Sequence, residues 1–591
     1  MPATGLDRIF TTKLHSWTLL RQPFYSQYSP VEIEKLKRSE YHLSTGRRTV
    51  AVLSMENRFS ALGGLSTITN FFPGALQEAG EQVVFITPLH RDNPAVKQAV
   101  AAGVLEQCGN TTTIKTGAMV TTLTCYRDTR NPVRSLYIDL PDYFTAVGHP
   151  YDYSDHWMLL RDSLAFCAAV PYALRMQGIT ERILLHAHDW ETAPAALAAR
   201  QALFCGILTS AKTVLTLHNS FDSVCPRPLM EYYFGRCFNG DTILQSCIPL
   251  LDGPLTTVSA AYADDLRHDP LQLGIFAGHL QDAFSMNPPV GIENGMFGTG
   301  ACPFSEKAMK AGSGGNFGPV FREKNRYRRA FLRMLARDRR RNTYGRLDIK
   351  ETDTATPVFF MSGRLDSNQK GFDVVIRAFL RLARGRAALF FTPNLVSGRS
   401  ETDLDLLRAM CEGHGDGVTI WPFRLDESEY AAAVRGASFL LMPSLYEPFG
   451  AASEGYLHAT PVIARATGGL VSQVVPRDGG AVPGRYRRFI ANRPGPTGIL
   501  FRERYDDGQA RREWRWLLDL PIDRRMESPL YRCLVDAAAE ALTEACGLFN
   551  DRARYGEILY NGQALVNGFS WTGACDKYRQ VYDCASRDNR L

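Results

Sequence analysis

The chain has 591 residues, 45% of them hydrophobic and 22% charged, with a formal net charge of +6. That balance is of a globular protein long enough for more than one buried core, and its charge is too mild to indicate a nucleic-acid partner. The thirteen cysteines are an odd number and scattered singly, which fits free thiols in a reducing compartment better than a disulfide framework. The N-terminus lacks the apolar core of a secretory signal, and no run reaches the ~18 apolar residues of a membrane span, so the expected location is the cytoplasm.

Residues 1–48 are polar and weakly patterned and read as an N-terminal extension, an arm or irregular helices laid over a domain. At Thr49 the character changes. TVAVLS reads as a buried strand, a Gly-Gly turn follows, and LSTITNFFPGALQEAG has a helical pattern. VVFITP, ILLHAH, TVLTLH and PLTTVSA are further short apolar runs, with helical stretches between them. This alternation predicts a mostly parallel α/β sheet. The Gly-, Ser- and Lys-rich segment 298–320 reads as a flexible linker. A basic stretch, 321–346, follows, with eleven Lys/Arg against two acids. Tyr327, Phe331, Met334 and Leu335 fall at helical spacing, which favours an amphipathic helix with a solvated basic face over a polyanion surface. A second α/β series then runs through PVFFMSG, AALFFTP, GVTIWPF, ASFLLMPS and PVIAR. The expected fold is therefore α/β, with two tandem Rossmann-like, doubly wound domains and the active site in the cleft between them. The domains are placed at 49–297 and 321–560, with a C-terminal helix in 561–591.

In open parallel sheets, ligands bind beyond the carboxyl ends of the strands, and the polar residues there are the candidates. Gly63-Gly64 reads equally as a strand-to-helix turn or as an anion-binding helix start. His186 and His188 read as core histidines or metal ligands, and the segment alone supplies no further ligands. Asp189 reads as a helix cap. Arg364 and Lys370 flank a strand end beside Gly371, where an Arg fork and a Lys point charge suit a diphosphate. Glu447 and Glu454 bracket a Pro-Phe-Gly turn and the helix after it.

HAHDW (186–190), TLHN (216–219), TTVSAAYA (256–263), GIENGMF (291–297), GRLDSNQKGFD (363–373), MPSLYEPFG (442–450) and ATGGL (466–470) occur in an order that resembles the bacterial glycogen synthases and plant starch synthases. FSWTGACDKYRQVYD (569–583) is similar to the family's last helix, which crosses back onto the N-terminal domain. The resemblance implies a retaining glycosyltransferase of the GT-B fold that uses ADP-glucose or UDP-glucose and extends an α-1,4-glucan, with no metal and no other cofactor. It implies that Arg364 and Lys370 neutralise the leaving diphosphate, that Glu447 holds the transferred sugar, and that His188 lines the sugar site. Donor contacts are implied at Gly63, Gly64, Asn294, Phe423, Tyr446, Phe449, Gly450, Thr467, Gly468 and Gly469, with the Gly468-Gly469 turn offering backbone N–H groups to phosphate. Asp155 and Asn219 are assigned to the acceptor side. Nothing in the sequence fixes an oligomeric state.

The chain departs from that pattern. Ala61 stands where the family has a lysine that meets donor phosphate, and Arg58 is the nearest replacement. Arg364 and Lys370 are six apart, as in the animal and fungal enzymes that use UDP-glucose, and one more than in the bacterial and plant ones. Glu454 lies seven after Glu447, a spacing that does not match relatives with two acids. Phe297 stands where the family often has Asp. Two other readings stay open: a GT-B transferase with another sugar or acceptor, and a noncatalytic glycan-binding protein.

Overall fold

A computed structural model describes residues 5–20, 28–44, 47–237, 240–296, 301–340, 342–396, 398–478, 482–491, 493 and 495–586. Phe297, 298–300 of the expected linker, and 1–4, 21–27 and 45–46 of the extension lie outside the described residues. The chain divides into two compact units. One comprises Phe10–Val258, Phe276–Phe297 and Ser570–Leu591; the other comprises Met1–Ile9, Ser259–Ile275 and Gly298–Phe569. A boundary near 297 was expected, with the last helix crossing back to the first domain. The chain gives its last helix, Trp571–Ser586, to the first unit, and it also gives 259–275 to the second.

The first unit is built on a ten-stranded sheet. Its strands are β1 (Thr49–Leu53), β2 (Gln82–Pro88), β3 (Leu105–Gln107), β4 (Thr112–Thr116), β5 (Met119–Asp128), β6 (Arg134–Asp139), β7 (Ile183–His188), β8 (Ala211–Leu217), β9 (Thr256–Thr257) and β10 (Val290–Gly291). The order is β10-β9-β8-β7-β1-β2-β6-β5-β3, with β4 paired to β5. β1 pairs in parallel with both β2 and β7, because its apolar run is buried on both faces. From β1 the chain builds outward through β2 and β6, then returns to the other side of β1 with β7. The carboxyl ends of β1 and β7 therefore meet where the winding reverses, the place such sheets offer a ligand.

The helix Trp571–Ser586 belongs to this core. Tyr578, Val581 and Tyr582 pack with Val50, Val52, Leu184 and Val214, and Phe10, Leu14 and Trp17 of the helix Gly5–Leu20 join the same cluster. The extension read as weakly patterned thus contains a helix with one apolar face. A second helix spans Pro30–Ser44.

The second unit carries β11 (Val358–Arg364), β12 (Ala388–Asn394), β13 (Val418–Ile420), β14 (Phe439–Met442), β15 (Val462–Arg465) and β16 (Gly498–Phe501). Their order, β13-β12-β11-β14-β15-β16, is that of a doubly wound nucleotide-binding sheet, and all pairings are parallel. The reversal lies between β11 and β14.

The described part of the expected linker is not a loose joint. It holds the helix Glu306–Ser313, capped by Ser305, and the start of the helix Gly318–Arg337. Ser305 donates to Glu323 at 2.6 Å and Tyr327 donates to the Pro303 carbonyl at 2.5 Å. Composition hid the helical spacing of EKAMKA. The basic helix also sends two of its cations inward. Lys324 donates to the Arg435 carbonyl and to Thr460, and Arg328 to the Thr356 carbonyl. Arg322, Arg326, Arg329, Arg333 and Arg337 are exposed.

All thirteen cysteines are free thiols. Among the described residues no helix is long and apolar enough to cross a membrane.

The loop after β11 is fastened by a buried ion pair. Arg525 donates to Asp373 at 3.2 Å, to the Ser367 carbonyl at 2.7 Å and to the Asn368 side chain at 2.5 Å, and Tyr531 donates to Asp373 at 2.7 Å. Removing one partner of such a pair leaves an uncompensated buried charge. Arg525→Met is expected to lower stability by ~3–5 kcal/mol in urea unfolding, and adding Asp373→Asn to recover part of the loss.

Candidate active site

At the reversal of the second sheet, Arg364 ends β11, Lys370 lies in the loop after it, and Glu447 lies in the loop after β14. The two loops are joined by the Leu445 N–H, which donates to the Gln369 carbonyl at 2.7 Å. Lys370 Nζ then reaches Glu447 Oε2 at 2.7 Å, and Ser444 Oγ donates to the same oxygen at 2.9 Å. The Arg364 guanidinium donates to the Gln369 side chain at 3.3 Å. Arg465, fully buried at the end of β15, donates to the Leu445 carbonyl at 2.5 Å and is paired with Glu503. The Glu447 loop is thus held from below by a buried cation that its place at the end of PVIAR did not reveal.

The Gly468-Gly469 turn is there for close approach. Gly468 has φ +46°, and a Cβ on it would stand 1.9 Å from the Glu447 carbonyl oxygen. The Gly469 N–H donates to the carbonyls of Glu447 and Pro448. The Gly468 N–H donates to Asp265 Oδ2 at 2.7 Å, and Thr467 Oγ1 to the same oxygen at 3.2 Å. The turn expected to offer its N–H groups to phosphate gives them to protein acceptors instead. Asp265 is itself held by the Tyr486 hydroxyl at 2.6 Å, and burial lifts its carboxyl to about 6. Asp269, alongside, is held down at about 2: burial raises it, and Arg502 and Arg485 outweigh that.

Gly450 also needs its positive φ, +83°, since a Cβ there would meet Glu447 Cγ at 2.8 Å. Tyr446 and Phe449 are buried, Phe449 against Phe569. Phe423 is not at the reversal. It follows β13 on the sheet edge, stacked on Trp421 with the Arg340 guanidinium 4.8 Å from its ring centre. Glu454 is half-buried in the helix Ala452–Leu457, and burial raises its carboxyl to about 7.

In the first unit, the helix Gly64–Glu78 begins at the Gly63-Gly64 turn. Three N–H groups around that start, those of Leu62, Gly63 and Ser66, point to Glu56 Oε2 at 3.0–3.3 Å. A carboxylate of the chain sits where an anion was expected. Arg58 does not replace the lysine absent at Ala61, because it pairs with Asp128 at 2.7 Å.

His186 and His188 leave β7 on one face, as residues two apart on a strand must. His186 is a core histidine. Tyr582 OH lies 2.8 Å from its Nδ1 and Thr216 Oγ1 lies 2.7 Å from its Nε2. Among the described residues the His188 ring has one hydrogen-bond partner, His218, with Nδ1 2.7 Å from His218 Nε2. Its Nε2 is buried without a partner among the described residues, as is Asn294 Nδ2. Asp189 follows with φ +62°, a conformation that costs a non-glycine residue of order 1–3 kcal/mol. It is not a side-chain cap for its own helix. Its carboxylate accepts from the His218 N–H at 2.6 Å and the Asn219 N–H at 3.3 Å, clasping the loop after β8. Asn219 is spent on that turn, donating to Asp189 and accepting from the Phe221 N–H. Asp155 is exposed and caps the helix His156–Met176 through the Trp157 N–H. Sequence reading missed Glu56, Asp265, His218 and Arg465 as holders of these loops, although His218 lies in TLHN and Arg465 ends PVIAR.

Among the described residues no group of three or more His, Cys, Asp or Glu side chains is placed to hold a metal ion. A doubly wound sheet that is parallel except where β5 meets β3, β4 and β6, and a second, all-parallel one with an Arg, a Lys and a Glu at its reversal, have the architecture of the GT-B class. The description "Starch synthase catalytic domain" matches residues 49–283, and "Family 4 Glycosyltransferase in conflict systems" matches 334–515. The glycogen synthase of Opitutus terrae is 24% identical over 88% of this chain and 96% of its own length; glycogen synthase 2 of Agrobacterium fabrum is 24% identical over 91% and 92%. Among solved structures, the catalytic domain of starch synthase IV from Arabidopsis thaliana superposes with a TM-score of 0.66 at 17% identity, over 92% of this chain and all of that one. The protein is a glycogen- and starch-synthase-like hexosyltransferase.

Two predictions follow from the packing. Gly468→Ala is expected to displace the Glu447 loop and to lower both melting temperature and turnover, because clash and backbone strain act together. Burial pushes His186 down to about 3, whereas the unfolded chain takes up that proton near 6.5. Between those values the unfolded state binds more protons, so stability falls as pH falls. The stability gap between the wild type and His186→Phe is expected to narrow on going from about pH 7 to about pH 5, by at most ~1.4 kcal/mol per pH unit. A gap that stays constant in urea titrations across that range would mean that His186 carries its charge in the folded protein.

Proposed function

We propose that the protein transfers a glucosyl unit, with retention of configuration, from ADP-glucose or UDP-glucose to the non-reducing end of an α-1,4-glucan. The observation that carries this reading is the Lys370–Glu447 pair beside Arg364 at the reversal of the second sheet. The names of the relatives support it, and so does the solved starch synthase, which was bound to ADP and acarbose.

In this reading Arg364 and Lys370 neutralise the diphosphate as it leaves. Fixed donors at such a position are each worth about 3–4 kcal/mol of barrier. Before the donor arrives, Lys370 is held by Glu447. A diphosphate competes for that ammonium with more charge than one carboxylate. Glu447 is then released to accept from the sugar hydroxyls, while Ser444 keeps its carboxylate aimed. His188 and Asn294, each with an unpartnered buried nitrogen, are assigned to the sugar. The leaving phosphate takes the proton of the incoming hydroxyl, so no separate protein base is needed. Charge neutralisation rests on the two cations, and the reading calls for no metal. The location it implies is the cytoplasm.

A second reading, with another sugar or acceptor, draws on Ala61 and on Glu56, which together make the first unit's glycine turn unlike a phosphate seat. Incubation with ADP-glucose and UDP-glucose, with and without glycogen, separates the two. Nucleotide release with growth of the polymer is expected. Release without growth favours another acceptor, and no release with either donor removes the first reading. Lys370→Ala and Glu447→Ala are each expected to lower kcat at least about a hundredfold with the melting temperature little changed. Near-wild-type turnover in either would remove the assignment.

A further inference from the structure

Among the polar groups at the strand ends, the His188–His218 pair has the least explained geometry. The rings stack with centres 5.0 Å apart at 28°, and His188 Nδ1 lies 2.7 Å from His218 Nε2. Burial keeps both rings neutral, holding His188 well below the usual histidine range and His218 down at about 3. Two neutral imidazoles that share one hydrogen bond have linked tautomers, because only one proton lies between the paired nitrogens. Either His218 Nε2–H donates and His188 carries its own proton on Nε2, or His188 Nδ1–H donates and His188 Nε2 is bare.

The outer nitrogens, His188 Nε2 and His218 Nδ1, are both buried without a partner among the described residues. A buried N–H with no acceptor is rarer and costlier than an unused acceptor. In the second arrangement the stranded N–H belongs to His218. In the first it belongs to His188, the last residue of β7 at the reversal of the first sheet, where a ligand oxygen can accept it. The loop carrying His218 is not free to choose another partner, since Asp189 grips the His218 N–H at 2.6 Å from a left-handed backbone.

We propose that His218 is a positioning residue: held by Asp189, it donates its Nε2–H to His188 Nδ1 and so fixes His188 as a hydrogen-bond donor, through Nε2–H, to a sugar oxygen. The ligand half of this statement rests on the assignment of His188 to the sugar under the proposed function. The tautomer half does not.

The test uses the full chain labelled with 15N-histidine, with the His188 ring signals identified by their loss in His188→Gln. The expected wild-type spectrum shows a pyrrole-type Nε2 and a pyridine-type Nδ1 at His188. His218→Gln can place an amide N–H near the same point and is expected to keep that pattern and most of kcat. His218→Leu is expected to mix the two tautomers and lower kcat about tenfold or more, with the donor KM within about threefold. A wild-type His188 protonated on Nδ1 overturns the proposal. So does a His218→Leu protein whose His188 pattern and kcat are both unchanged. If no transfer is found with any donor, the functional reading fails, and the ring spectra still decide the tautomer.

Discussion

A strand that runs straight into a helix leaves backbone N–H groups with no ladder partner and no helical acceptor, and when buried they must find one. That requirement organises both sheet reversals of this protein, and carboxylates meet it. Glu56 accepts from the turn after β1, Asp189 from the loop after β8, and Asp265 from the turn after β15. Each acid closes a loop that carries or borders a residue assigned to substrate. The side chains assigned to substrate are therefore placed by charges that are not.

The strands buried on both faces, such as β1, β2, β7, β8, β11 and β12, were legible in the sequence, because they are written as short apolar runs; β3, β4 and β5, partly exposed and paired antiparallel, were not. Strand order was not, and with it went the reason that Lys370 and Glu447, 77 residues apart, share a hydrogen bond. The glycine pairs show the limit of a local reading most clearly. A Gly-Gly step announces that backbone must come close to something. Whether that something is a phosphate or the Glu447 carbonyl is decided by a fold that brings the turn after β15 against the loop after β14. The histidines behave alike. HAH places two rings on one face of a strand, but one ends against Tyr582, from the far end of the chain, and the other against His218. The segment 298–320 was misread for the opposite reason: its glycines and serines outweighed a short helical repeat that Glu323 and Tyr327 fasten in place.

The departures at 58–61 take a physical form in the structure. Ala61 brings no charge, Arg58 is committed to Asp128, and the helix start beyond them already holds a carboxylate. In the proposed reading, neutralising a donor's diphosphate thus falls to β11 and its loop.

The closed Lys370–Glu447 pair also bears on how fast an anion finds the protein. Two opposite charges 2.7 Å apart present a dipole to the solvent, whose field fades far sooner than that of a lone ammonium. In the proposed reading, an approaching nucleotide is therefore drawn over distance by Arg364 and little by Lys370, and it meets the second cation only after contact. Encounter and capture become separate events, the first sensitive to ionic strength and the second to how readily a carboxylate gives up its partner.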